Sequence, residues 1–334
     1  MTHQQIAIET FGAASTLRLR DQPARPPGPG EVAIDVKYSG VNFADIQMRL
    51  GFYPDAPKRP FVPGYEVSGH VAAVGAGVTG FRAGDAVVAG TYFGGYASQV
   101  TIDAAQVFPL PRHLDLESGA ALPVNYFTAR LALHEMARVR AGDKVLIECA
   151  TGGVGVLAIQ MARALGAEVT GLTTSAHKKP FIEGLGARAF TVEEFKADPA
   201  LTGYDFILNA SGGAEIKPQR ARLAITGRMV CIGISSGLKD GKRSFWRIGL
   251  AALRTPRISV LKLFDQNSGI YALNALRVLQ DPTWVPRLTQ SLGEVAELDL
   301  RPHVGKVFAA SEAAAAHELL QTKGATGKVL LAWS

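Results

Sequence analysis

The sequence predicts an α/β protein in two parts, one β-rich and one a doubly wound parallel sheet. The first 125 residues alternate short apolar runs with Gly/Pro turns, and beyond them strand-like and helix-like runs alternate. The junction Val145-Leu146-Ile147-Glu148-Cys149-Ala150-Thr151-Gly152-Gly153-Val154-Gly155 adds the sharpest signal. It is an apolar strand that stops at small residues and resumes as a helix.

In the first part the pattern predicts strands over 31–38, 65–74, 86–89 and 96–102. Pro26-Pro27-Gly28-Pro29-Gly30 and Ala83-Gly84-Asp85 punctuate them, as expected of a small antiparallel domain. In the second part strands are expected at 144–149, 168–173, 187–190, 204–208 and 227–232. Helices are expected at 153–165, 178–185, 193–197 and 215–224. The Arg-, Trp- and Leu-rich insertion 237–265 reads as a helix plus an outer strand, 258–263, and as a lid or a dimer contact. Helices over 271–280 and 311–322 and a strand over 328–333 complete the chain. The expected domains are 1–125 with 270–334, and 126–269.

Bulk properties narrow the function. With 334 residues, 47% hydrophobic and 19% charged, the chain suits an enzyme with a large core. The net charge of +6 is not concentrated as in a nucleic-acid binder. Its densest basic stretch, Lys239, Lys242, Arg243, Arg247, Arg254 and Arg257, is interleaved with apolar residues. That stretch fits an amphipathic surface or attraction for a phosphate-bearing substrate, with polyanion binding as the alternative. The two cysteines, Cys149 and Cys231, sit in apolar runs and read as buried reduced thiols. Residues 1–10 show no basic-then-apolar leader, and no run approaches the ~20 apolar residues of a membrane span. A cytoplasmic protein is expected.

The turn Ala150-x-Gly152-x-x-Gly155 is where a dinucleotide pyrophosphate would sit, held by the N–H groups of Thr151, Gly152, Gly153, Val154 and Gly155. An NAD site places a carboxylate about 20 residues further on. Here that stretch reads Thr173-Thr174-Ser175-Ala176-His177-Lys178-Lys179, with no acid. Hydroxyls followed by lysines suit a 2′-phosphate, so Thr174, Ser175 and Lys178 predict NADPH, with NADH as the alternative. The loops Asn209-Ala210-Ser211 and Gly233-Ile234-Ser235 end two parallel strands, where such sheets bind ligands. Asn209, Ser211, Gly233 and Ser235 are therefore cofactor candidates.

In order along the chain, several motifs resemble the medium-chain dehydrogenase/reductase superfamily in its zinc-free quinone oxidoreductase branch. They are Gly40-Val41-Asn42-Phe43-Ala44-Asp45, Arg49-x-Gly51-Phe52-Tyr53-Pro54, Pro63-Gly64-Tyr65-Glu66-Val67-Ser68-Gly69, Leu122-Pro123-Val124-Asn125-Tyr126, the Gly152–Gly155 turn and Thr326-Gly327-Lys328. Val124-Asn125-Tyr126 and the insertion look most like the synaptic-vesicle-type homologues. The resemblance implies a GroES-like catalytic domain, a Rossmann nucleotide-binding domain and a homodimer. It also implies no metal, because Asn42 and Tyr65 stand where the zinc alcohol dehydrogenases carry Cys and His. The chemistry so implied is hydride transfer to a C=C bond activated by a carbonyl, in a quinone, an enone or alkenal, or an enoyl thioester. The alternative is a non-catalytic NADPH-binding or polyanion-binding protein of the same fold.

By the same resemblance Tyr53 is the candidate proton donor, or a stacking residue. Asn42 is a nicotinamide or ribose contact, or a turn amide. Asp45 supports Asn42 or Arg49, or simply begins a helix. Thr128 is expected to bond the nicotinamide end, and Lys328 either to point to the cofactor or to cap the last strand.

Overall fold

The computed structural model describes residues 2–233, 255–322 and 324–334. Ser235, the lysines and arginines from Lys239 to Arg254, and the insertion up to 254 lie outside them. The described residues form two compact units, 2–124 with 282–334 and 125–233 with 255–281. The second unit thus runs past the expected limit of 269, because the sixth strand of its sheet only begins there.

In the first unit the central strand Glu31–Val41 pairs antiparallel with Glu66–Val74, with Gln99–Asp103 and with the closing strand Lys328–Ala332. The last of these pairs parallel with Val304–Ala309. Two registers gather the polar residues of this sheet. Val329 lies opposite Val41, and Val67 lies opposite Ser39. Residues 42, 66 and 328, far apart in sequence, therefore meet at one end of three adjacent strands. A hairpin of Thr2–Ile8 and Leu17–Pro23 also belongs to this unit. Its only trace in the sequence is the faint Ile6/Ile8 alternation, too short to predict a strand.

The second unit holds a parallel six-stranded sheet. Its order is Arg188–Thr191, Glu168–Thr173, Lys144–Ile147, Tyr204–Asn209, Leu223–Cys231, Gly269–Ala272. With the chain's own sequence of strands this is the 3-2-1-4-5-6 order of dinucleotide folds, and the order reverses beside Lys144–Ile147. Leu146, Leu172, Phe195, Ile207 and Met229 fill its core.

Four expectations are corrected here. Residues 258–263 are not a strand: Val260–Gln266 is a helix, ended by Asn267 in the left-handed conformation (φ 45°). A short apolar run fits either state, and this Asn cap decides it. The outer strand is instead Gly269–Ala272, so the helix expected from 271 shrinks to Ala275–Leu279. Likewise the helix expected over 215–224 ends at Arg220, and the next strand starts at Leu223 rather than 227. That strand bends at Thr226 (φ 67°), an irregularity hidden from a periodicity reading.

Close packing fixes the turn at the reversal. A Cβ on Gly155 would lie 2.5 Å from the Cys149 carbonyl oxygen and 2.8 Å from the Ala150 Cα. Both obstacles are backbone and cannot yield. Gly155→Ala is expected to destabilise the protein by about 1–3 kcal/mol in urea unfolding, the usual range for forced overpacking.

Candidate active site

Glu66 organises the first unit's cluster. Its side chain is fully buried, and a carboxylate in such a place must be paired and hydrogen-bonded. Oε2 accepts from the Val124 backbone N–H (2.7 Å), and Oε1 accepts from the Asn42 amide Nδ2 (3.1 Å) and pairs with the Lys328 ammonium. Lys328 also donates to Asn42 Oδ1 at 2.6 Å. Gly40 is glycine because a Cβ there would lie 2.6 Å from the Glu66 side chain.

Asn42 precedes the helix Phe43–Leu50, and Asp45 lies in the first turn of that helix. Asp45 is also fully buried and accepts from the backbone N–H of Asn42 (2.7 Å), the backbone N–H of Gly64 (3.1 Å) and the Tyr96 hydroxyl (3.2 Å). Burial still outweighs these donors and raises its pKa from the ordinary 3.8 to about 6. Tyr96 continues to His317 Nε2 (3.0 Å), an imidazole that burial, aided by Arg49, lowers to about 3 and so keeps neutral. Arg49, fully buried as well, donates to Gln321 Oε1 (2.7 Å).

Tyr53 is half-buried, its ring 6.2 Å from that of Tyr65, which in turn lies 5.5 Å from Phe93. The Tyr65 hydroxyl is buried with the Tyr53 phenol as a polar neighbour, and desolvation drives its pKa upward. These residues do not fit a zinc ion. Asn42 offers an amide, Tyr65 a phenol that resists ionisation, and Glu66 is already neutralised by an ammonium. Among the described residues no three His, Cys, Asp or Glu side chains are grouped to hold a metal.

In the second unit a second buried glutamate plays the corresponding part. Glu148 follows the first parallel strand, and its Oε2 accepts from Asn209 Nδ2 (3.0 Å), Ala210 N (2.8 Å) and Ser211 N (3.0 Å). It thereby ties the turn after that strand to the loop after the fourth. Asn209 is fully buried and spends its amide internally, donating also to Gln219 (2.9 Å) and accepting from Gly212 N (2.9 Å). Glu148 is absent from the residues that sequence reasoning singles out, although it stands inside the motif of the turn. A charge closing an apolar strand is the signal that could have found it.

Cys149 takes a left-handed conformation (φ 54°), Gly152 N–H donates back to its carbonyl (2.9 Å), and the helix Gly153–Ala164 starts there. Thr151, Gly152, Gly153, Val154 and Gly155 are thus one tight turn whose first helical N–H groups lack intrahelical acceptors, a fit for a pyrophosphate. A Cβ on Gly153 would sit 2.4 Å from the Asn125 amide, so this glycine admits Asn125 to the turn. Thr128 is buried on the same helix as Asn125, Pro123–Arg130. Gly233 lies against the Ala210 carbonyl, 2.8 Å from where its Cβ would be.

On the neighbouring strand's end, Thr174 is exposed, Ser175 half-buried and Lys178 buried. The two lysines part company there. Lys179 is held by Glu194, at 3.0 Å to both carboxylate oxygens, whereas burial lowers the Lys178 pKa.

Two tight clusters at strand ends, one beside a dinucleotide turn, fit a two-part, nucleotide-binding protein. The Alcohol dehydrogenase GroES-like domain model matches residues 28–112, and the Zinc-binding dehydrogenase model matches 153–264. A quinone oxidoreductase of Sus scrofa is 31% identical over 98% of this chain and 96% of its own length. The synaptic vesicle membrane protein VAT-1 homolog of Rattus norvegicus is 30% identical over 98% of this chain and 83% of its own. The structure of a mycobacterial protein, Rv1454c, complexed with NADPH superimposes with a TM-score of 0.85 at 26% identity, covering 99% of this chain and 100% of that one. The chain belongs to the medium-chain dehydrogenase/reductase superfamily, in its zinc-free quinone oxidoreductase branch.

Asp45 gives this site a pH signature. Its folded pKa of about 6 exceeds the ordinary 3.8, so the folded state binds this proton more tightly than the unfolded chain. The stability it contributes is complete below the lower value and is lost as pH rises through the higher. In urea unfolding, the advantage of the wild type over Asp45→Asn is expected to shrink by roughly 2–3 kcal/mol between about pH 4 and about pH 7.

Proposed function

We propose that this chain is an NADPH-dependent reductase that adds hydride to the C=C bond of a quinone, an enone or alkenal, or an enoyl-CoA thioester. The observation that carries the reading is the Asn42–Glu66–Lys328 cluster, whose amide, ammonium and already paired carboxylate do not make the donor set of a catalytic metal. Without a metal to polarise a simple carbonyl, the acceptor must spread incoming charge itself, as a conjugated carbonyl does. NADPH supplies the hydride when bound.

The chain's own residues then have these parts. The Thr151–Gly155 N–H groups hold the pyrophosphate, and Lys178 with Thr174 and Ser175 takes the 2′-phosphate. Asn209, held by Glu148, shapes the loop that carries Ser211, and Gly233 lies against Ala210 of that loop; Ser235 belongs to the same reading from its sequence alone. Thr128 and Asn42 are the candidates for contact with the nicotinamide end. Tyr53 is the candidate proton donor to the reduced acceptor, and Asp45 keeps the Asn42 backbone in place. Support for NADPH over NADH comes from the missing acid after residue 173, from buried Lys178, and from the related structure complexed with NADPH.

The same reading includes a cytoplasmic homodimer. Both cysteines are free thiols, which suits a reducing compartment. In the second unit Val260, Leu261 and Phe264 are 78–81% exposed, next in sequence to the sheet's outermost strand, Gly269–Ala272. An open strand edge flanked by large apolar side chains is a surface that a second copy would cover.

NADPH oxidation with phenanthrenequinone, an alkenal and short enoyl-CoAs is expected to show turnover with at least one; NADPH binding without any turnover, or salt-sensitive polyanion binding alone, would support the non-catalytic alternative. Lys178→Ala is expected to raise the Kd for NADPH about tenfold or more while moving that for NADH less than about twofold. For the dimer, Leu261→Glu with Phe264→Glu is expected to halve the mass seen by light scattering; an unchanged mass places the interface elsewhere.

A further inference from the structure

We propose that Lys328 is a positioning residue whose ammonium, seated between Asn42 and Glu66, locks the Asn42 carboxamide so that only an acceptor remains for a ligand. This rests on the proposed place of Asn42 at the reacting end of the site. The orientation follows from hydrogen-bond polarity. Asn42 Oδ1 receives the Lys328 ammonium at 2.6 Å, while Nδ2 points inward to Glu66 Oε1 at 3.1 Å and to the Gly40 carbonyl at 3.4 Å. Turning the amide over would set N–H donors against an ammonium and an oxygen against a carboxylate, two repulsive contacts in a buried place. The second lone pair of Oδ1 is what this side chain can offer outward, so Asn42 accepts from a ribose hydroxyl or a carboxamide N–H and donates to neither.

The ammonium is committed to this task. The Lys328 and Glu66 side chains are 4% and 0% exposed, and a lysine so buried persists only when paired. The backbone delivers it there, since Val329 pairs with Val41 and so puts residue 328 beside residue 42. Asp45 fixes the Asn42 main chain from the other side, through the N–H it accepts at 2.7 Å. Main chain and side chain of one residue are thus held by two separate charged groups.

The test separates positioning from bulk stability. Lys328→Met leaves Glu66 charged and buried, so both Tm and kcat are expected to fall. The double variant Lys328→Met with Glu66→Gln removes both charges; Tm is expected to recover most of the loss, while kcat stays roughly tenfold or more below wild type and KM for NADPH moves less than about twofold. Recovery of kcat together with Tm would reduce Lys328 to a structural role. A rise in KM for NADPH with kcat intact would make it a cofactor ligand. A crystal structure of the double variant decides the point without turnover: Asn42 is expected to rotate out of its contact with residue 66, and an unmoved carboxamide overturns the proposal. Should the wild type reduce none of the acceptors, the assigned reaction fails while this structural comparison still decides the role of Lys328.

Discussion

Two buried glutamates, one in each unit, hold the loops around them in shape. Glu66 has a backbone N–H, an amide and an ammonium as partners, drawn from residues 124, 42 and 328. Glu148 has three N–H donors from residues 209 to 211. A buried carboxylate left unpaired costs several kcal/mol, so each compels its surroundings to supply donors. Each thereby fixes loops that periodicity alone would leave free. The glycines nearby follow from the same demand: Gly40 makes room for Glu66, and Gly153 makes room for Asn125.

The dinucleotide turn shows a related economy. Its first position is Ala150 rather than the usual glycine, and the methyl group needs space on the adjacent strand. Gly171 provides it, since a Cβ there would lie 2.8 Å from the Ala150 Cβ. The substitution in the motif and the glycine one strand away are halves of one packing solution. Just beyond that strand Lys178 and Lys179 look equivalent in sequence, yet Glu194 claims only Lys179.

Most of the fold is legible in the sequence because its signals are local. The strand–turn–helix at 145–155, the alternation after 126 and the turn-punctuated strands before it all follow from spacing. What escapes reading depends on contacts made far away in the chain. Helix Val260–Gln266 reads as a strand because an apolar run fits both states and one Asn ends the matter. The charge that closes the first parallel strand marks Glu148, but its partners lie some sixty residues off and spacing does not reveal them. From sequence Lys328 is either a cofactor contact or the cap of a strand, and its place beside Asn42 is set by strand register. Asn42 and Asp45 both stand out in their motif. The reason they work together, one bonded through its side chain and the other through a backbone N–H, emerges only in three dimensions.

The charge balance of the first unit's cluster bears directly on the proposed chemistry. One ammonium meets one carboxylate, so the pair is neutral as a unit, and its donors are turned inward. A divalent metal in the same place would present net positive charge and an open coordination position to a carbonyl oxygen. Lys328 presents neither. Under the proposed function the driving force for hydride addition therefore has to lie in the acceptor's own conjugation. The protein's share is to hold the two reactants in register and to bring one proton from a phenol such as Tyr53. Such a site discriminates poorly between a quinone, an enone and an enoyl thioester by electronic demand, since all three disperse the charge alike. Selection among them falls to the shape and charge of the pocket rather than to the electronic demand of the acceptor.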